Sequence, residues 1–374
     1  MASMQTTGSN PARHDHAALQ ALLDRLIGAL IGIRDEDSAF LVGIVDGRRY
    51  DIKSWDVWDW TQGVGLYGLV RSYERTGDAN TLDLVRTWFG ARLAEPPPPR
   101  TINTVAPVYA LAHLAAADGD AALRALAADW AAWVMNDLPR TTESGFQHIV
   151  VDHRNEGQLW DDSLMMTALP LARAGLLLNR PDYVEEAVRQ FLVHTKYLAD
   201  RATGLWFHGW SFVTRNHLSA ALWARGNSWV TMAIPDLIEL LDLPRDGAVG
   251  AFLIETLRAQ VAALAGCQRD DGLWPTLLDD PDSYGEASAT AGFAYGILKG
   301  VRLGLLDPGY ARCGARALDA VVANIDPVTG ELGNVSFGTP IFATREEYAR
   351  VPLTTMPYGQ AMAILALDEG LRAA

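Results

Sequence analysis

Cysteine is nearly missing from this chain. Its 374 residues include two, Cys267 and Cys313. Both fall in apolar helical patterns, so buried free thiols are expected and a disulfide framework is not indicated. No Cys/His group has metal-ligand spacing, and neither a metal nor an organic cofactor is expected. The opening residues, Met1 to His16, lack the apolar core of a secretory signal and instead carry Gly, Asn and Pro. This predicts a flexible lead-in over 1–17, no membrane anchor and a cytoplasmic location. Cations are also in short supply. The 31 Lys and Arg are outnumbered by 45 Asp and Glu, giving a net charge of −14. Such a field repels nucleic acid and anionic membranes. A few local cations can still hold a small acidic ligand, because distant charge is screened over about 10 Å. Strand signals are few and short.

Helical signals fill the rest. Apolar residues recur at helical spacing over Ala18–Gly32, Thr61–Thr76, Asn80–Leu93, Ala106–Ala117, Ala121–Leu138 and Asp162–Leu178. The pattern continues over Tyr183–Ala199, Asn227–Leu241, Ala248–Gln268, Ser288–Gly304, Tyr310–Asn324 and Thr355–Arg372. Tight turns such as Thr76-Gly77-Asp78, Asp118-Gly119-Asp120 and Arg180-Pro181-Asp182 stop one helix and cap the next. A second turn type alternates with them: Gly145-Phe146, Gly204-Leu205-Trp206, Gly272-Leu273-Trp274 and Gly330-Glu331-Leu332, spaced by roughly sixty residues. Asp46-Gly47 and the segment around Pro96–Arg100 are weaker counterparts. One helical hairpin per period makes six hairpins. The expected fold is all-α, an (α/α)6 barrel in which residues 18–374 form a single domain. Pro96–Pro99 would join two hairpins rather than two domains. Long loops at one end of such a ring would carry the chemistry. A monomer or small homo-oligomer is expected.

Several segments hold polar residues that core packing does not explain. Trp160-Asp161-Asp162-Ser163-Leu164-Met165-Met166 sets two carboxylates among large apolar side chains. Desolvation there would hold a carboxylic acid protonated and ready to donate. One Asp can cap the following helix. Asp162 shares a helical face with Met166 and is the candidate acid. His148 and His208 each follow a repeated Gly turn, which places both at the same end of the ring. Trp223-Ala224-Arg225-Gly226 sets a guanidinium beside a glycine, where it can grip a carboxylate bidentately. Tyr284-Gly285-Glu286 leads into a helix of small residues, whose close packing explains the alanines better than it explains Glu286. Trp55, Trp58 and Trp60 precede another helix, as an aromatic platform or as core. The chain has 12 Trp, and several gather with His, Arg and Asp, as in a cleft that stacks on sugar rings.

These motifs, with His208-Gly209-Trp210 and Trp223-Ala224-Arg225-Gly226-Asn227-Ser228-Trp229, occur in the same order in glycoside hydrolase family 105. The chain resembles that family, the unsaturated rhamnogalacturonyl hydrolases, from about Trp55 onward. Family 88, the unsaturated glucuronyl hydrolases, is related. The resemblance implies an (α/α)6 barrel and a short acidic oligosaccharide as substrate. Its non-reducing end would be a 4,5-unsaturated uronate left by a polysaccharide lyase. It implies that Asp162 is the general acid and base. It further implies that His148, His208, Trp223, Arg225, Trp60 and Met166 bind substrate, with Trp160, Trp210 and Glu286 alongside. Asn103 stands where many relatives carry a second Asp, Ser211 where they often carry Asp, and Ser228 where Gly is common. An (α/α)6 sugar epimerase working with paired histidines, or a non-catalytic binder of unsaturated oligosaccharides, are the alternatives.

Overall fold

Two kinds of helix alternate along the chain. Those of the first kind are buried on nearly every face: α2 (Trp60–Thr76), α4 (Val108–Asp118), α6 (Leu169–Leu178), α8 (Ala224–Leu240), α10 (Ala287–Arg302) and α13 (Pro357–Ala373). The others bury one stripe: α1 (His16–Gly32), α3 (Ala79–Leu93), α5 (Ala121–Asn136), α7 (Pro181–Leu198), α9 (Ala248–Cys267) and α11 (Ala311–Ala323). On α7 that stripe is Tyr183, Ala187, Gln190, Phe191, His194, Thr195 and Leu198. Each inner helix packs on the next, α2 on α4, then α6, α8, α10 and α13, which returns to α2. An outer helix backs each one, and α1 backs α13. The ring is an (α/α)6 barrel whose sixth hairpin joins the first helix to the last. A short α12 (Arg345–Tyr348) lies in the loop before α13. The computed structural model describes residues 15–373 apart from 37 and 46–47. Most of the expected lead-in, 1–14, and the Asp46-Gly47 turn lie outside them.

Strands are confined to antiparallel pairs between helices: β1 (Leu41–Val45) with β2 (Arg48–Asp51), β3 (Gln158–Trp160) with β4 (Gly209–Ser211), and β5 (Trp274–Pro275) with β6 (Gly285–Glu286). Among the described residues one helix, α9, is long and apolar enough to cross a membrane. Its stripe of Leu253, Leu257, Val261 and Leu264 is spent on the ring instead.

The repeated glycine turns have a common construction. Gly204, Gly272 and Gly330 adopt φ of 88°, 85° and 75°, open to glycine and strained for other residues. Each also meets the backbone of the following outer helix. A Cβ would stand 2.5 Å from Ala259 O, 2.6 Å from Arg316 O and 2.6 Å from Arg25 O respectively. Two residues on, a buried side chain takes the backbone N–H: Asn227 from Trp206, Thr290 from Trp274, Gln360 from Leu332. The Gly145 turn differs, since Ser144 takes the left-handed position at φ 62° and Gln190 receives the Phe146 N–H.

Because inner and outer helices alternate, all the inner helices start at the same end of the ring. Asp59 caps α2 there and Glu286 caps α10. At the far end their last turns are tied by charge. Lys299 pairs with Asp236 and, at 2.6 Å, with Glu239, while Tyr295 donates to Asp236 at 2.7 Å. Arg75 and Arg302 add cations where helix C-termini favour them. The helix expected from Asp162 departs from the α pattern over Leu164–Ala168, where it is a π-turn with Leu169 N–H bonded to Leu164 O. Pro170 supplies no N–H to the Met166 carbonyl, so the ladder slips by one residue.

Gly330→Ala is expected to destabilise the protein by about 1–3 kcal/mol, through both the left-handed φ and the overlap with α1. Gly90→Ala, on the exposed face of α3 with open space around it, is expected to stabilise by about 0.5–1 kcal/mol. Thermal unfolding of the two variants checks both signs.

Candidate active site

A cavity of about 720 Å³ opens where the inner helices begin. Its wall includes Asp59 and Trp60 from the start of α2, Asn103 from the turn before α4, and His148. The strand β3, the turn after it and the π-turn add Trp160, Asp162 and Met166 in that order. Leu218 and Ser219 come from the loop after β4, and the strap Phe337–Ala343 covers one side. No Lys or Arg is among the described lining residues.

Asp162 is the partly exposed member of the Asp pair, with 14% of its side chain accessible. His208, directly before β4, places Nε2 at 3.2 Å from Asp162 Oδ2 and Nδ1 at 2.8 Å from the Tyr348 hydroxyl. Complete burial lowers the basicity of His208 and favours the neutral imidazole. The network then assigns the tautomer: Tyr348 donates to Nδ1, and Nε2–H donates to Asp162. His148 lies face to face with Trp160, centroids 4.1 Å apart, and its Nδ1 is 3.0 Å from Ser163 Oγ. Burial takes His148 down to about 4, so it too is neutral near pH 7.

The two carboxyls of the pair diverge. Burial alone would raise Asp162, but the hydrogen bond and charge of His208 outweigh it, with help from His148 and Asp161, and bring it down to about 2. The charge part fades when the imidazole is neutral, while the hydrogen bond persists. Burial and then the neighbouring Asp162 charge push Asp161 well up. The sequence led us to expect the desolvated, protonated acid at Asp162. It is Asp161 instead, because Asp161 points into the protein, fully buried, and Asp162 points into the cavity. A third carboxyl, Asp59, is 1% exposed and is raised to about 7 by burial, opposed by the Trp60 N–H and supported by Asp152.

Comparison with known proteins now fits this geometry. The profile of Glycosyl Hydrolase Family 88 matches residues 33–374. The chain belongs to glycosyl hydrolase family 88. It is 34% identical over 320 residues to the unsaturated rhamnogalacturonyl hydrolase YesR of Bacillus subtilis, covering 84% of this chain and 90% of YesR. A crystal structure from Salmonella enterica, described as a possible family 105 member, superposes with a TM-score of 0.95 at 49% identity, over 98% of this chain and 97% of that one. A Klebsiella pneumoniae counterpart gives 0.94 at 50%, over 100% and 99%. The resemblance to families 105 and 88 is thereby established.

Within this family 88 site, the cavity gathers Asp162, His148, Trp60, Met166, Asn103 and Trp160. Five expected contacts lie elsewhere. His208 is behind Asp162. Trp223 is 2% exposed and packs on His208, 4.3 Å between centroids, rather than offering its face to a ring. Trp210 turns outward to Tyr197 and His217, since its strand position alternates away from the cavity. Arg225 is fully buried and directs Nη1 and Nη2 at the strap and the residue before it: Ser336 O at 2.9 Å, Ser336 Oγ, Phe337 O at 3.0 Å and Thr339 Oγ1 at 3.0 Å. Glu286, also buried, accepts the Ser336 N–H at 2.8 Å and stands 3.5 Å from Arg225. The expected uronate clamp is therefore a clamp on the wall of the cavity. Trp55 and Trp58 are core, packed on Trp88.

Sequence reasoning missed the strap, Tyr348, and the buried state of Asp59. The available signal was the aperiodic Ser336-Phe337-Gly338-Thr339-Pro340 stretch, too polar and too long for a plain helix connection.

Arg225→Lys is expected to raise KM and to lower stability by about 1–3 kcal/mol, because one ammonium cannot replace the planar fork across the strap's carbonyls. Steady-state kinetics and thermal unfolding report the two effects.

Proposed function

We propose that the cavity binds the 4,5-unsaturated uronate at the non-reducing end of a lyase-generated oligosaccharide, and that Asp162 both protonates it and activates water. The observation that carries this reading is Asp162 itself, the carboxylate that projects from the Trp-Asp-Asp turn into an aromatic-walled cavity. The C4=C5 bond of such a sugar is an enol ether. Protonation at C4 leaves cation character at C5, stabilised by the ring oxygen. Water adds at C5, the hemiketal opens, and the glycosidic bond breaks. One carboxyl serves as acid to the carbon and then as base to the water. Glycosidases that attack the anomeric carbon need two flanking carboxyls. This chemistry does not, which is compatible with an amide at Asn103.

The anionic sugar meets no Lys or Arg among the described lining residues, but it meets the start of α2 and the turns that lead into α4 and α6. Their N-termini carry partial positive charge, each worth about 0.3–1 kcal/mol to a nearby anion. His208 holds the Asp162 carboxylate in place, and Trp160 and Met166 keep one side of it dry. The epimerase alternative is not favoured. It needs histidines on the substrate, whereas His208 sits behind Asp162.

Asp162→Asn keeps the shape and removes the transferable proton. Turnover is expected to fall by about 10²–10⁴, with the fold intact by circular dichroism. Loss of the ultraviolet absorbance of the C4=C5 bond in lyase-generated disaccharides is the assay. Near-normal turnover in this variant would overturn the assignment.

A further inference from the structure

Asp161 is a buried carboxyl without an evident use. Neither of its oxygens has a hydrogen bond of normal geometry, although the backbone N–H groups of Asp161 and Asp162 lie close enough to offset part of its burial. Its place is made by Gly226 at the start of α8. A Cβ there would overlap Asp161 Oδ2 and stand 2.8 Å from its Cγ. One Asp161 oxygen, one Asp162 oxygen and one His208 nitrogen lie within 4.8 Å of one another. The titratable and charged groups around it are Asp162 on its own turn, His208 before β4, Tyr348 on α12 and Arg225 on α8, with His148 facing Asp162.

An ionised carboxylate enclosed in this way, with nothing closer than its own turn's backbone N–H groups and with a second carboxylate beside it, is strongly disfavoured. A neutral one has a proton to place, and the acceptor beside it is the Asp162 carboxylate. His208 occupies another side of Asp162 with its Nε2–H. Asp162, held low, would on its own be protonated only rarely near neutral pH.

Given the reading of Asp162 as the acid, we propose that Asp161 stores the proton that Asp162 delivers, so that the acid of this enzyme is a two-carboxyl unit carrying one proton. In the forward step the proton moves from Asp161 to Asp162. The Asp162 O–H bond then breaks as the alkene electron pair forms the C4–H bond. Water attacks C5, its proton passes to Asp162, and from there it returns to Asp161. The pair ends as it began, and the sugar has gained one H and one OH. Asp161 is a positioning residue for the proton and touches no substrate.

Asp161→Asn keeps the volume and an N–H toward Asp162 but holds no transferable proton. Expected are a KM within about twofold of wild type, a kcat at least about tenfold lower at neutral pH, and activity shifted to acid pH. The sign follows from Asp162: without its store, it must be protonated by solvent, which happens only as pH falls. Unchanged kcat with an unchanged pH profile would overturn the proposal, since a hydrogen bond alone would then suffice. A second measurement needs neither the variant's folding nor turnover. In wild-type protein with ¹³C-labelled Asp carboxyls, NMR titration should find Asp161 still protonated at pH 7, with Asp59→Asn separating the Asp59 signal. Asp161 ionised at pH 7, or stoichiometric uptake of Mg²⁺ or Ca²⁺ by wild type that Asp161→Asn abolishes, would overturn it. The titration reads Asp161 whether or not Asp162 is the acid, so the two ideas fail separately.

Replacing Gly226 with Ala is expected to force the Asp161 side chain out of place and cut kcat at least about tenfold. A kcat that survives this change, with Tm also unchanged, would show that the tight seat is dispensable.

Discussion

The common direction of the inner helices governs this molecule. Alternating hairpins start every inner helix at one end of the ring. Six positive dipole ends thereby face the end of the ring where the cavity opens, with Asp59 and Glu286 capping two of them and the starts of α2, α4 and α6 nearest the cavity. That arrangement attracts an anion without a cation in the described lining. It also explains where the cations went. Arg75, Lys299 and Arg302 stand at the opposite ends of the helices, where negative dipole ends and the buried Asp236 need them. An acidic protein can hold an acidic substrate because polarity is sorted along the ring axis.

The cavity wall depends on a second arrangement, a buried ion pair that faces neither water nor substrate. Arg225 in the first turn of α8 and Glu286 at the cap of α10 divide the segment from Ser336 onward between them, the guanidinium taking its carbonyls and the carboxylate its Ser336 N–H. Buried pairs of this kind are costly when broken, since the partner left behind is a desolvated charge. Here additional hydrogen bonds hold both, and only the Arg225 Nε is left without a partner. The strap is the long loop of the ring, and these two residues give it a fixed course over the cavity.

The fold was largely legible in the sequence. Helical periodicity located each long helix to within a few residues, and the recurring glycines counted the hairpins. Both are local signals, and φ near +80° at Gly204 and Gly272 explains why glycine recurs. Asp162, Trp160 and Met166 were legible in the Trp-Asp-Asp motif that opens a helix, Trp60 as an aromatic before a helix and His148 after a repeated glycine turn, whereas Asn103 came from the family resemblance. What misled was side-chain direction. Trp210 differs by one residue from a cavity-facing position, and alternation along its short strand sends it to the other side. Arg225 misled for another reason: a guanidinium near a sugar site suggests a carboxylate ligand, and sequence does not reveal that a distant loop has already taken both of its Nη groups. The strap itself lies more than a hundred residues from Arg225, with no period to announce it.

The last hairpin has a kinetic meaning. Since α1 packs its stripe mainly against α13, a nascent chain carries an unsealed seam until α13 has left the ribosome. Closure comes from the contact most distant in sequence, and such contacts form slowly. By the same token the ring has no intrinsic starting point. Cutting it at another outer connection and tethering the neighbouring ends would leave the same circle of helices, entered at a different door.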